Sequence, residues 1–330
     1  VVEAISSERV LIMTEQCLGD AVMTLPLIEL LETRWPKLSL LSPGGSKLVL
    51  SNPSRTFMNE ESARGLRGDI LKARQLRKER FDVGVVAKTS FRAAWIARLA
   101  GIPKRVGHAV EGRTFLLTDP VPYSKSAYYA FSMLDLARPL GFTVNLNRPH
   151  LMKPDDPTDG LRLLGGATVG IQPGAANPRK RLPMELLVSI TQRLYEQGFS
   201  VALLGGRDEE PFAKELRGRL DHPVVDLVGK TDGTLLRSVL SGLKLVVGAD
   251  TGVLHFAAAL GATTVQVFGP TEYKGWGNAF GSNQVIVAPN GDVTKVSQEK
   301  VLEAVNLALE SVQTPSPPQN TRVHLRSNGL

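Results

Sequence analysis

Two hydrophobic periods alternate along this chain. Short continuous apolar runs occur at Arg9-Val10-Leu11-Ile12-Met13, Leu38 to Leu41 and Phe81 to Val86, with a shorter one at Arg105 to Gly107. Runs of that length with no polar alternation predict strands covered on both faces. Between them the apolar positions step at helical spacing, as in Ala21, Leu25, Ile28 and Leu30 or Leu31, up to a stop at Trp35-Pro36. Pro26 falls early in that helix and predicts either a separate first turn or a kink. Further helices are expected over Ile70 to Lys78, Ser90 to Leu99 and Tyr128 to Leu140, the last two ending at Gly101 and Gly141. Residues 43–68 are less regular and predict a mobile surface loop.

The second half repeats the plan. Strands are expected at Val169 to Gln172, Phe199 to Leu204, Val224 to Leu227, Leu245 to Val247 and Thr264 to Phe268. Helices are expected from Pro183 (as first residue) to Gln197, from the Gly205–Glu210 turn to about Leu220, and over Thr234 to Ser241 and Lys300 to Glu310. Alternation of this kind in both halves predicts an α/β protein with two Rossmann-like parallel-sheet domains facing across a cleft. The expected boundaries are a first domain over 1–150, a linker over 151–166 that is broken by Pro154 and Pro157, a second domain over 167–311, and a disordered tail over 312–330.

Composition narrows the partners. The 330 residues carry a net charge of +7, which favours phosphorylated small molecules, an anionic membrane face or nucleic acid. No zinc-ligand spacing and no basic–aromatic interleaving speaks for nucleic acid, which is not expected as a partner. No run is long enough to span a bilayer, and the first residues lack the apolar core of a signal peptide. The single cysteine, Cys17, permits no internal disulfide and fits a reducing cytoplasm.

Ligands of parallel sheets bind beyond the carboxyl ends of the strands, so the loops there carry the candidates. After the Leu245 strand come Asp250-Thr251-Gly252 and then a small-residue helix through His255 to Gly261. A helix start of this kind favours a phosphate, although an isolated Asp-Thr-Gly is more often a cap. In Pro173 to Pro183, Arg179, Lys180 and Arg181 precede another helix, a recipe for gripping a pyrophosphate; basic triplets elsewhere are usually solvated. Asp20 is read as a helix cap or as a general base. Glu209 or Glu210 either takes the hydroxyls of a ribose or caps a helix. Gly229-Lys230-Thr231 lacks the first glycine of a P-loop, and the Gly275–Gly281 stretch misses dinucleotide spacing by one residue. The five histidines show no metal-ligand pair, so neither metal nor cofactor is expected. Cys17 is read as a filler, not a nucleophile.

Six stretches in order resemble glycosyltransferase family 9, the ADP-heptose:lipopolysaccharide heptosyltransferases, most closely its heptosyltransferase II branch. They are Leu18 to Pro26, Thr89 to Ala94, Ala100 to Gly107, Pro173-Gly174-Ala175 with Lys180-Arg181, Asp250 to His255, and Phe268 to Thr271. The resemblance covers about residues 9–290 and implies a two-domain clamp fold (GT-B) with the acceptor bound by the first half and the nucleotide sugar by the second. It implies an inverting, metal-independent transfer of heptose from ADP-heptose to the lipopolysaccharide inner core, in the cytoplasm and peripheral to the inner membrane. In that scheme Asp20 is the base, Lys180 and Arg181 with Thr251 and Gly252 bind the donor phosphates, and Asp250 and His255 lie at the donor sugar and its phosphate. Glu209 or Glu210 is nearest the ribose. Lys88, Arg92, Lys104, Arg105 and Arg113 crowd the acceptor half, with Ser90 and Arg92 expected at the acceptor, while Arg98 and Lys125 are read as solvated. Leu182 departs from the tryptophan common after Lys-Arg, which bears on sugar packing. The alternatives are a clamp-fold transferase using another nucleotide sugar, or an inactive nucleotide-sugar-binding protein.

Overall fold

The apolar runs pair side by side as parallel strands. A computed structural model describes residues 7–42, 44, 46–51, 55–58, 65–124, 128–144, 157–231, 233–277 and 283–313. Lys125, residues 145–156 and residues 314–330 of the expected tail lie outside the described residues, as do 43, 45, 52–54 and 59–64 of the expected loop.

The first half comprises β1 (Val10–Met13), α1 (Leu18–Glu32), β2 (Leu38–Leu41), α2 (Ser46–Leu50), β3 (Thr56–Phe57), α3 (Gly65–Lys78), β4 (Val83–Val86), α4 (Phe91–Leu99), β5 (Lys104–His108), β6 (Asp119–Val121) and α5 (Tyr129–Asp135). The second comprises α6 (Thr158–Leu164), β7 (Val169–Gln172), α7 (Met184–Glu196), β8 (Val201–Leu203), α8 (Glu210–Gly218), β9 (Val225–Asp226), α9 (Gly233–Gly242), β10 (Leu245–Ala249), α10 (Gly252–Ala259), β11 (Thr263–Phe268), α11 (Tyr273–Trp276), β12 (Asn283–Val287) and α12 (Gln298–Gln313).

Among the described residues the strands form two six-stranded sheets, ordered β3-β2-β1-β4-β5-β6 and β12-β11-β10-β7-β8-β9. Counted from its own first strand, each sheet has the same doubly wound order. The order reverses between β1 and β4 in one and between β7 and β10 in the other, and these switch points open the crevices in which such sheets bind ligands. Every residue of β1, β4, β7 and β10 is buried, which is why these strands read as unbroken apolar runs.

Several elements differ from the expectation. α1 runs unbroken through Pro26, so its first turn is not a separate piece. Residues 158–164 of the expected linker are helical: the Gly160 N–H donates to Ser238 Oγ at 2.9 Å and docks α6 on α9. Pro157 ends the break and precedes the first helical residue, where its missing N–H is harmless. The irregular stretch 43–68 holds α2, β3 and the start of α3. The expected helix 128–140 divides into α5 and a 3-10 turn at Arg138–Leu140. Pro183 precedes α7 in an extended conformation instead of opening it. α12 continues to Gln313, past the expected boundary at 311.

One apolar cluster runs through both halves. Ala21, Val22 and Leu25 of α1 share it with Leu254, Ala257 and Ala258 of α10 and with Leu236, Val239 and Leu240 of α9. Each fully buried aliphatic side chain of this kind is worth about 1.5–3 kcal/mol, so the seam fixes how the two sheets face each other. Tyr129 and Trp276 stack across it with centroids 4.9 Å apart and planes 17° from parallel.

Candidate functional site

The seam brings two helix N-termini together. α1 leaves the end of β1 and α10 leaves the end of β10, so both starts lie at the switch-point crevices. No side chain caps either start: Cys17 and Thr251 occupy the N-cap positions without a capping hydrogen bond. The Oγ1 of Thr251 is buried without a hydrogen-bond partner. Two uncapped positive helix ends facing one point favour an anion there. Their approach requires Gly252, because a Cβ at that position would stand 2.8 Å from Gly19 N and 2.8 Å from Leu18 Cβ.

Asp20 sits in the first turn of α1, largely shielded from water. Burial, and then the negative charge of Glu15, raise its pKa to about 6, while the Cys17 thiol, the backbone and His255 pull the other way. A carboxylate held there is ionised at neutral pH and basic enough to accept a proton. Burial and the Asp20 charge push the Cys17 thiol upward, so the local field opposes a thiolate nucleophile.

Across the seam stands Asp250, 3% exposed. Lys180 Nζ donates to its Oδ2 at 2.6 Å and to its carbonyl oxygen at 3.2 Å. Its Oδ1 lies 2.9 Å from His255 Nε2, and an ionised carboxylate accepts only, so Nε2 carries the proton. Burial acts to raise the Asp250 pKa, but the hydrogen bonds and charges of His255 and Lys180 outweigh it and hold the group at about 2. His255 Nδ1 is buried without a partner. The His255 ring also packs toward Trp276, and its Cδ2 would lie 3.6 Å from a Cβ at Gly19. Lys180, Asp250 and His255 are joined by hydrogen bonds, and Asp20 on the other half stands close enough to feel the charge of His255.

The remaining candidates line this crevice less directly. Arg181 Nε donates to Ala175 O at 2.9 Å, folding the β7–α7 loop back on itself. A pocket lined by Gly174, Arg181, Asp208, Glu209, Pro211 and Phe212 opens at the ends of β7 and β8. Glu209 accepts from Gln172 Nε2 at 2.8 and 3.0 Å and from Gly206 N at 2.8 Å. It fits beside the loop because residue 174 is glycine: a Cβ there would stand 2.7 Å from Glu209 Oε1. Glu210 is exposed and turned toward Gly229, away from that pocket.

On the first half, Ser90 caps α4 by accepting from Ala93 N at 3.4 Å, and half-exposed Arg92 pairs with Asp69 at 2.5 Å. The expected basic cluster is divided. Arg113 is fully buried and donates to the carbonyls of His108, Lys88 and Ser90, pinning the β4–α4 loop. Arg105 is buried on the carbonyls of Leu116, Ile102 and Pro103. Lys104 Nζ donates to Pro139 O at 2.9 Å. These three hold loops together, because a guanidinium or ammonium near a turn satisfies carbonyls that the strands leave unpaired. Glu15 escaped the sequence reading: its Oε1 accepts from Thr89 N at 2.8 Å and Thr89 Oγ1 at 3.0 Å, tying the loops after β1 and β4 together. So did Tyr129 and Trp276, since nothing local marks aromatic residues far apart in sequence as a stacked pair.

Residues 71–306 match the profile of Glycosyltransferase family 9 (heptosyltransferase). Lipooligosaccharide heptosyltransferase 2 of Haemophilus influenzae is 27% identical in an alignment 289 positions long that covers 80% of this chain and 84% of that protein. The structure of Escherichia coli ADP-heptose LPS heptosyltransferase II superposes with a TM-score of 0.80 at 23% identity, covering 93% of this chain and 100% of that one. An E. coli heptosyltransferase solved with ADP superposes with a TM-score of 0.73 at 19% identity, covering 91% and 99%. These likenesses give the architecture its name, the GT-B clamp. With two matching sheets, a crevice at each switch point and a family profile spanning most of its length, the chain is a glycosyltransferase and belongs to glycosyltransferase family 9.

Proposed function

We propose that this enzyme moves heptose from ADP-heptose to the inner core of lipopolysaccharide, with inversion and without a metal ion, at the cytoplasmic face of the inner membrane. The observation that carries the reading is the abutment of α1 and α10, which brings the helix turn that carries Asp20 up to the helix that carries His255, itself tied to Asp250 and Lys180. The names of the relatives, an ADP-heptose enzyme and an ADP complex among them, support the choice of donor.

In this mechanism the acceptor hydroxyl gives its proton to Asp20 as its oxygen bonds to the anomeric carbon. The bond from that carbon to the phosphate breaks on the opposite face, and the electron pair leaves with ADP. Lys180, Arg181 and the backbone donors at Thr251 and Gly252 take up the developing charge, so positive groups fixed in the protein do what a cation would otherwise do. Asp250 aims Lys180 and His255 at the same spot. Glu209, which lines the pocket beside Arg181, faces the ribose; Glu210 lies outside it. Ser90 and Arg92 stand on the acceptor side.

Asp20→Ala tests this reading. Transfer of heptose from ADP-heptose falls by about 10²–10⁴-fold while calorimetric ADP affinity stays within error. Turnover equal to the parent removes Asp20 as the base. Binding of UDP or GDP more tightly than ADP removes the donor assignment, and loss of turnover in EDTA removes the metal-independent mechanism.

A further inference from the structure

The first half carries an apolar, cationic flank that the transfer chemistry does not use. α3 and α4 lie side by side and parallel: Asp69 and Arg92 join their first halves at 2.5 Å, and Arg77 Nη2 donates to Leu99 O at 2.5 Å near their ends. Large apolar side chains stand exposed at the leading end of this pair. Leu66 is 66% exposed, with Ile70 and Leu71 beside it on α3; Phe91 opens α4 and Phe115, 71% exposed, lies 6.1 Å from it ring to ring. Along the same face of α3 follow Arg67, Arg74, Arg77 and Lys78, all exposed. The helix has one acidic residue, Asp69, and it is buried against Arg92.

We infer that this flank is the surface by which the enzyme docks on an anionic lipid bilayer, seating Leu66, Ile70, Leu71, Phe91 and Phe115 among the headgroups. Large apolar side chains exposed next to a row of cations suit the boundary between headgroups and acyl chains, where the apolar groups insert and the cations meet the headgroups. The cations select negatively charged headgroups, and that complementarity distinguishes a bilayer from an uncharged protein partner. Position agrees as well. α4 begins at the end of β4, so Phe91 adjoins Ser90 at the mouth of the first lobe, where an acceptor anchored by acyl chains arrives with its bilayer. Among the described residues no helix is long and apolar enough to cross a membrane.

The inference rests on the proposed function only for the identity of the acceptor, and its first test needs no sugar. Full-length protein is sedimented with vesicles of phosphatidylcholine alone or with phosphatidylglycerol added. Binding is expected only with phosphatidylglycerol, and the triple variant Leu66→Ser, Leu71→Ser, Phe115→Ser lowers the partition coefficient about tenfold or more at unchanged thermal midpoint. Charge reversal by Arg67→Glu with Lys78→Glu, which leaves the apolar residues in place, has a similar effect that added salt reproduces. The triple variant keeps parental turnover on a deacylated, water-soluble acceptor and loses it on acceptor embedded in vesicles. Parental binding to phosphatidylcholine alone, unchanged binding by both variants, or a dimer that the triple variant dissociates overturns the inference. Loss of activity on the soluble acceptor in parent and variant alike would count against the proposed function and leave the vesicle result standing.

Discussion

The two lobes share a strand order and a switch point, and each sets an aspartate at the helix start beyond its crevice, yet the two carboxyls are driven apart. Asp20 is half-buried beside another carboxylate and rises to about 6; Asp250 is buried beside a lysine and a histidine and falls to about 2. Burial acts in the same direction on both. The neighbours decide the difference: the β1–α1 loop supplies Glu15 beside Asp20, whereas His255 of α10 and then Lys180 of the β7–α7 loop bond Asp250. In the proposed mechanism two similar acids with opposite environments divide the labour: one accepts the proton, the other is a fixed anion that orients cations. Duplicated architecture need not duplicate chemistry, since the few charged residues that face each carboxylate set its local field.

The contrast is most exposed at Lys180. Lys180→Ala removes the proposed donor to the departing diphosphate and leaves Asp250 with His255 alone, so its pKa climbs because burial is no longer opposed by that cation. The expected cost is about 2–4 kcal/mol of transition-state stabilisation, roughly 30- to 900-fold in kcat/KM. Steady-state kinetics with ADP-heptose and calorimetry with ADP measure it. Unchanged donor affinity together with unchanged turnover would show that the second lobe does not grip the phosphates through this residue.

How far the sequence could lead follows the same division between local and distant neighbours. β1, β4, β7 and β10 were legible because central parallel strands are apolar on both faces. β3, with two residues, and β12, whose Asn283 and Gln284 face partial solvent, carry too little pattern to be read. α6 was hidden by the prolines before it, which signal a break and equally permit a helix start. The crevice loops were legible by position, because strand ends in such sheets are where ligands bind. What the loops do to one another was not: the pairing of Lys180 with Asp250 spans 70 residues, and that of Glu15 with Thr89 spans 74. For the same reason Arg105 and Arg113 looked like acceptor-facing cations, although both are consumed by backbone carbonyls.

The helix starts of the two lobes touch at Gly252, and Gly252→Ala interferes with that contact. The added methyl group meets Gly19 N and Leu18 Cβ at 2.8 Å, so α1 must retreat from α10. Overpacking of this kind costs about 1–3 kcal/mol of stability, seen as a lowered thermal midpoint. It also moves Asp20 away from the cluster, so kcat falls more than ADP affinity does. A variant with lowered stability but parental kcat would separate the abutment of the helices from the chemistry.

Glu15→Gln probes the field at Asp20 most gently. Glutamine keeps an oxygen to accept from Thr89 N and Oγ1, so the loops stay tied while the negative charge goes. The groups facing Asp20 are Glu15 and Cys17 on its own loop, Tyr123 after β6, Tyr129 on α5 and His255 on α10. Burial and the charges of Asp20 and Glu15 raise Tyr129 far above the ordinary phenol range, so it stays neutral throughout the working pH. A base works when deprotonated: in the parent, kcat/KM falls on the acid side through about pH 6. Removing the Glu15 charge makes ionisation of Asp20 easier, so the acid limb moves to lower pH and the variant outperforms the parent, relative to its own plateau, near pH 5. Burial, the largest cause of the rise, is untouched by the substitution. A limb that moves upward, or does not move while Asp20→Ala still abolishes turnover, would mean that Glu15 holds the loop without shaping the base, and the contrast between the two aspartates would then rest on desolvation and His255 alone.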